Sequence, residues 1–274
     1  MDISGNSSQG PRSILDVIEN GYNFRWSDYF SSGFRAFGND FGIYVAFTLV
    51  YIAISMATGF IPYVGTTIGL FVNPVLIAGY IYYGRAQYVN DHRDFNTFFQ
   101  GFRQPQWIPL VVQSLMGSFL LVVAIAGATI PFFYESILKF LEDAQKIETL
   151  PQAEVGEFVL GLWNTDLTIA SIIALIVGLM VSTLICLAPF FIIYRSSSFG
   201  EAMQSSARVV RKRFPAFLGL MIMLWLVLIL GVLLCCVGFL AAFPIYHLVL
   251  LAAFRDIMGE DQGPSHAANP SWPG

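Results

Sequence analysis

AFLGLMIMLWLVLILGVLL, residues Ala216 to Leu234, is followed across Cys235 by CVGFLAAFPIYHLVLLAAF, residues Cys236 to Phe254, and no Asp, Glu, Lys or Arg interrupts either stretch. Each has the roughly 20 largely apolar residues that a helix rising about 1.5 Å per residue needs to cross a bilayer. The two meet around Cys235 to Gly238, and a link this short can only turn. The pair therefore reads as a tight antiparallel hairpin of spanning helices.

Working outward, four more runs meet the same criterion: Phe41 to Ile61, Thr66 to Tyr83, Ile108 to Ile130 and Leu167 to Ile193. The first two are joined by a short turn containing Pro62 and Gly65, which makes a second tight hairpin. Composition agrees, since 56% of the 274 residues are hydrophobic and 12% charged, against about 25% charged in soluble domains. An ordinary soluble fold is excluded, and the expected architecture is an all-α integral membrane protein, a six-span helical bundle. Residues 1–23 read as a cytoplasmic N-terminal segment. The stretch Met1 to Gly21 contains Pro11, Arg12, Asp16 and Glu19 and lacks the uninterrupted apolar core of a secretory signal. Residues 24–260 form the membrane domain, and 261–274, rich in Pro, Gly, Ser and Ala, read as a disordered cytoplasmic tail.

Charge orients the spans. With both ends in the cytoplasm, twelve of the fourteen basic residues fall on the cytoplasmic side: Arg12, Arg25, Arg35, Arg85, Arg93, Arg103, Arg195, Arg208, Arg211, Lys212, Arg213 and Arg255. Only Lys139 and Lys146 remain outside, so every loop obeys the positive-inside rule. They lie in an acidic excursion, residues 132–166, that also holds Glu135, Glu142, Asp143, Glu148, Glu154, Glu157 and Asp166. Within it, Ile137, Leu138, Leu141, Ala144 and Ile147 recur at helical spacing. That spacing predicts an amphipathic helix over Glu135 to Leu150, lying on the bundle mouth or the membrane surface and ended by Pro151.

A short pattern precedes alternate spans: Phe30-Ser-Ser-Gly33-Phe34-Arg35, Phe98-Phe-Gln-Gly101-Phe102-Arg103 and Met203-Gln-Ser-Ser206-Ala207-Arg208. Each reads as an interfacial helix with apolar side chains at headgroup depth and Arg turned to lipid phosphate. Pro74 lies eleven residues before Arg85, as Pro244 does before Arg255. The chain then divides into three units, each an interfacial helix followed by two spans.

The stretches Ala188-Pro-Phe-Phe-Ile-Ile-Tyr-Arg195, Phe199-Gly-Glu-Ala-Met-Gln-Ser-Ser-Ala-Arg208 and Ala252-Ala-Phe-Arg-Asp-Ile-Met-Gly259, with Gly238 and Pro244, carry a resemblance. The last 90 or so residues resemble an uncharacterised class of prokaryotic multi-pass membrane proteins related to the membrane domain of some glycerophosphodiester phosphodiesterases. Phe24 to Arg103 match it more loosely, through Pro74, Gly79 and Phe98 to Arg103. The resemblance implies a fold and a bacterial inner-membrane location but no reaction, since no soluble phosphodiesterase domain accompanies these spans.

Few residues offer chemistry. No span holds an acidic or basic group at depth, where ion-coupled carriers place them. Asn73-Pro74 breaks the second span and Pro244 the sixth, positions from which kinked helices could frame a shared groove; Pro189 marks a kink in the fourth. Tyr246 and His247 are the polar candidates beside Pro244. A structural hydrogen bond explains His247 more simply than ligand binding, and metal or haem ligation least well. Gly65-Thr-Thr-Ile-Gly69 has the small-xxx-small spacing of close helix approach. Arg208, Arg211, Lys212 and Arg213, with Arg35 and Arg103, are the expected contacts to anionic headgroups. Cys186, Cys235 and Cys236 fall in apolar runs and read as packing residues. No Walker loop, zinc-protease signature or nucleophile elbow is present, so neither metal nor cofactor is expected. The preferred function is a non-enzymatic accessory or assembly subunit that binds membrane lipids, another integral membrane protein, or both, and no nucleic acid. A carrier of a neutral or amphipathic solute is the alternative, and a membrane-embedded enzyme acting on lipid the third reading.

Overall fold

The computed structural model describes residues 12–61, 64–147, 165–234 and 237–259, and every regular element among them is helical. The expected tail from Asp261, most of the acidic excursion and the Cys235-Cys236 link lie outside the described residues. In chain order the helices are α1 (Ile14–Asn20), α2 (Trp26–Asn39), α3 (Phe41–Gly59) and α4 (Val64–Tyr88). A 3-10 turn (Phe95–Phe99) then leads into α5 (Gln100–Arg103). The chain continues through α6 (Trp107–Ile147), α7 (Thr165–Ile185), α8 (Ala188–Arg195), α9 (Phe199–Lys212), α10 (Phe214–Leu233) and α11 (Val237–Met258).

Six stretches among the described residues are long and apolar enough to cross a membrane: Phe41–Gly59, Thr67–Tyr88, Trp107–Ile130, Thr168–Arg195, Phe214–Leu233 and Gly238–Met258. The chain is an all-α membrane protein whose six long apolar helices correspond to the six expected spans. Two of them differ from the sequence reading in detail. Helix α6 does not stop at Ile130 but runs unbroken for 41 residues, about 60 Å at 1.5 Å per residue. Residues 135–147, expected as a separate surface helix, are its continuation. The fourth span is interrupted at Cys186 and Leu187, between α7 and α8, with Pro189 in the first turn of the new helix. A proline there has no amide to lose, because the first turn has no intrahelical acceptor for it.

The chain forms two compact units, Met1–Leu115 with Leu184–Gly274, and Met116–Thr183. In the first, α4 and α11 are the most enclosed helices. Their inward faces carry Leu76, Tyr80, Tyr83, Leu248, Leu251 and Phe254, all essentially inaccessible. Phe98 is inserted between helices, stacking on Phe47 at 4.0 Å and on Tyr83 at 4.4 Å between centroids. Glycine sets the tightness of both hairpins. A Cβ on Gly65 would fall 1.7 Å from the Thr58 carbonyl oxygen, and one on Gly231 would lie 2.7 Å from the Ala242 Cβ. In the second unit α6 and α7 approach at Gly178, where an added Cβ would touch Ile125 at 3.5 Å. Their outer faces expose Phe119, Val122, Leu175 and Ile176, as side chains solvated by lipid do.

Candidate functional site

Three short helices at the arginine-rich end of the first unit carry the repeated pattern, and local capping starts two of these segments. The Ser198 hydroxyl accepts from the Glu201 amide while the Glu201 carboxylate accepts from the Ser198 amide, which opens α9 with a capping box. Asp94 and Thr97 form the same reciprocal pair at the 3-10 turn before α5. The Asp94 carboxyl is held below its ordinary range by hydrogen bonds, from the Asn96 amide first and then from Thr97.

In all three copies the small residue faces inward. Gly33 of α2 lies against α11, where a Cβ would meet Val249 Cγ2 at 2.5 Å and its backbone nitrogen at 3.0 Å. Gly101 of α5 lies against α4, where a Cβ would meet Val75 Cγ1 at 2.9 Å. Ser206 of α9 is fully buried against the break in the fourth span. Its Oγ accepts from the Leu187 amide at 3.2 Å and donates to the Leu184 carbonyl at 2.7 Å. One serine thus satisfies two backbone groups at the interruption. Each copy packs on an even-numbered span: Gly33 on the sixth, Gly101 on the second and Ser206 on the fourth. The neighbouring residues point outward. Phe34 and Phe102 are exposed, as are Arg35, Arg103, Arg208, Arg211, Lys212 and Arg213.

A polar cluster that sequence reasoning missed locks the first hairpin. Asp40 Oδ2 accepts from Arg93 Nε at 2.8 Å, Gln87 Nε2 at 3.1 Å and the Tyr83 hydroxyl at 3.2 Å. Gln87 also donates to the Ala36 carbonyl at 2.8 Å and accepts from the Tyr44 hydroxyl at 3.0 Å. The hydrogen bond to Asp40 raises the Arg93 pKa from its usual value, against a smaller opposing cost of burial. A sequence signal existed: Asp40 stands one residue before the first span and Arg93 just beyond the second, opposite charges at the same end of one hairpin. On the far side of α2, Asp256 accepts from the Tyr29 hydroxyl at 2.7 Å and pairs with Arg25. Burial first, and then the bond to Asp256, pushes the Tyr29 hydroxyl well up from its usual pKa.

The proline sites lie in different surroundings. Asn73 and Pro74 line a cleft of about 340 Å³ with Ser55, Thr58, Gly65, Gly69 and Ser114. Asn73 Oδ1 accepts from the Ser55 hydroxyl at 3.3 Å, so this amide serves a neighbouring helix. His247 sits in an aromatic cradle. Its Nδ1–H donates to the Phe243 carbonyl at 2.9 Å, and its ring stacks on Tyr80 at 5.2 Å. Tyr80 is itself held by Thr48, hydroxyl to hydroxyl, at 2.9 Å. Tyr246, about 100° further around α11, faces α10 instead and reaches Met221 Sδ at 3.9 Å. Asn73 and Pro74 therefore share a cleft, while Tyr246 and His247 face two different neighbours. Cys186 is a free thiol at the break in the fourth span, and the described residues contain no cluster of His, Cys, Asp and Glu able to hold a metal ion.

No protein-family model, no curated protein and no solved structure matches this chain.

Proposed function

We propose that the protein is a non-enzymatic accessory or assembly subunit that binds membrane lipid and a second integral membrane protein. The observation that carries this reading is the shared design of α2, α5 and α9, each with a small residue locked inward and an arginine turned outward at one end of the spans. Such a platform gathers anionic headgroups at about 1 kcal/mol per basic residue, and Arg208, Arg211, Lys212 and Arg213 concentrate four of them on and beside one helix. The distribution of basic residues supports placing that end, and both termini, in the cytoplasm. A bacterial inner-membrane location and kinship with the prokaryotic multi-pass class rest on the stretches Ala188 to Arg195 and Ala252 to Gly259. A partner protein has two features to read: the acidic excursion and the exposed apolar faces of α6 and α7.

The test is extraction in a lipid-preserving medium followed by mass spectrometry of the intact complex. A stoichiometric protein partner that is lost on deleting residues 148–164 supports the reading. A protomer carrying no partner and no retained lipid overturns it. The carrier reading keeps one observation in its favour, the cleft at Asn73 and Pro74. It predicts that Asn73→Leu abolishes uptake of a neutral solute into proteoliposomes.

A further inference from the structure

A second cleft, also about 340 Å³, opens at the arginine-rich end of α4, where α5, the turn before α6 and α8 converge. Its walls carry Tyr82, Arg85, Asp91, His92, Gln104 and Gln106, an unusually polar set for a protein so poor in charge. Two buried atoms in this wall, the Tyr82 hydroxyl and Gln106 Oε1, have no hydrogen-bond partner within the protein. Tyr82 is only 8% exposed, and leaving a buried hydroxyl unsatisfied costs about 1–3 kcal/mol. An unused donor and an unused acceptor in one cleft point to an occupant offering both.

The remaining groups narrow the occupant's chemistry. Arg85 is held by the Tyr194 ring at 4.7 Å and donates one N–H to the Ile193 carbonyl at 3.4 Å. A guanidinium has five N–H donors, so further donors remain for an anion in the cleft. Gln106 is oriented by its own amide, which donates to the Ser196 hydroxyl at 3.2 Å and leaves Oε1 as the acceptor. Asp91 adds a second acceptor at the rim. Cation and hydroxyl donors suit phosphate oxygens; an amide oxygen and a carboxylate suit an ammonium or hydroxyl. Phe102 and Trp107, close in the chain to the lining residues Gln100, Gln104 and Gln106, are exposed, and aromatic residues of this kind mark headgroup depth.

We infer that this cleft is a binding site for a phosphate ester bearing an amine or hydroxyl donor, the chemistry of a phosphoethanolamine-type headgroup, with Tyr82 and Arg85 on the phosphate and Gln106 on the donor. The inference rests on the lipid-binding reading and names the site and headgroup class within it. The full-length protein in phosphatidylcholine nanodiscs is titrated with phosphatidylethanolamine, and occupancy is read by native mass spectrometry. Soluble O-phosphoethanolamine is the competing probe. Wild type retains one phosphatidylethanolamine in preference to phosphatidylcholine. Arg85→Gln weakens retention about tenfold, as loss of a charge-assisted bond does. Tyr82→Phe weakens it severalfold while leaving the melting temperature of the lipid-free protein unchanged or raised, an effect that a purely structural hydroxyl would not produce. Displacement by O-phosphoethanolamine at comparable concentration assigns the site to a free headgroup ester; failure to displace assigns it to the intact lipid. Equal retention by wild type, Tyr82→Phe and Arg85→Gln overturns the inference and leaves general lipid binding standing. Loss of all retained lipid from wild type overturns both.

Discussion

At the residue scale, contacts that admit no side chain are as informative as those that do. A Cβ on Gly79 would lie 2.4 Å from the Phe98 backbone oxygen, and that oxygen is anchored by the stacked ring of its own residue. Gly79→Ala is therefore expected to cost about 1–3 kcal/mol through overpacking. Gly42→Ala, where nothing lies within 4 Å, should be neutral or stabilising by about 0.5–1 kcal/mol, since alanine favours the helix. Thermal unfolding of the two variants in one detergent makes the comparison. Asp40 invites a second substitution. With Asp40→Ala, Arg93 and Gln87 lose their shared acceptor; because both charged partners are partly exposed, the loss is about 2 kcal/mol rather than that of a fully buried pair. The residue order marks Asp40 only as a carboxylate with an opposite charge, Arg93, at the same end of the hairpin. Its weight comes from Arg93 and Gln87 reaching it after the chain has crossed and returned.

At the element scale, the spans were legible because lipid demands about 20 apolar residues in a row, a signal carried in full by each segment itself. Interruptions were less legible. The third span is expected over Ile108 to Ile130, yet the helix continues through Pro131. A proline removes one donor from the ladder and leaves the turns on either side free to close. The break at Cys186 and Leu187 depends on Ser206, twenty residues away in another helix. Ser206→Ala removes the partner of two buried backbone groups and is expected to destabilise by about 1–3 kcal/mol. The loss should appear first as faster hydrogen exchange at the Leu187 amide. The capping box at Asp94 gives a pH-dependent counterpart. Its carboxyl pKa is lowered in the fold, so the contribution is complete above the ordinary Asp value of about 3.9 and is lost as pH falls through the folded value. Exchange of the Thr97 amide should accelerate only below about pH 4, and Asp94→Asn should flatten that response.

At the scale of the whole molecule, the repeated pattern links sequence to architecture. In the sequence, its small residue stands out only by recurring. In the structure that position is buried in every copy, against the sixth, second and fourth spans in turn, while the arginine that follows it is exposed. The first copy reaching the last span ties the two ends of the chain together, and Arg12, whose amide donates to the Met258 carbonyl at 2.8 Å, reinforces the closure. The clefts were not legible, since each gathers residues from segments that are remote in sequence or split by a turn. The arrangement requires all three interfacial helices to lie on one side of the membrane and the acidic excursion on the other. Single cysteines placed at Ser31, Asn96, Gln204 and Gln152 in a protein whose Cys186, Cys235 and Cys236 are replaced by alanine test this directly. In sealed vesicles of known orientation, an impermeant maleimide should label the first three together from one face, and Gln152→Cys only from the other. Labelling of any of the three from the face that labels Gln152→Cys would contradict the six-span, three-unit architecture.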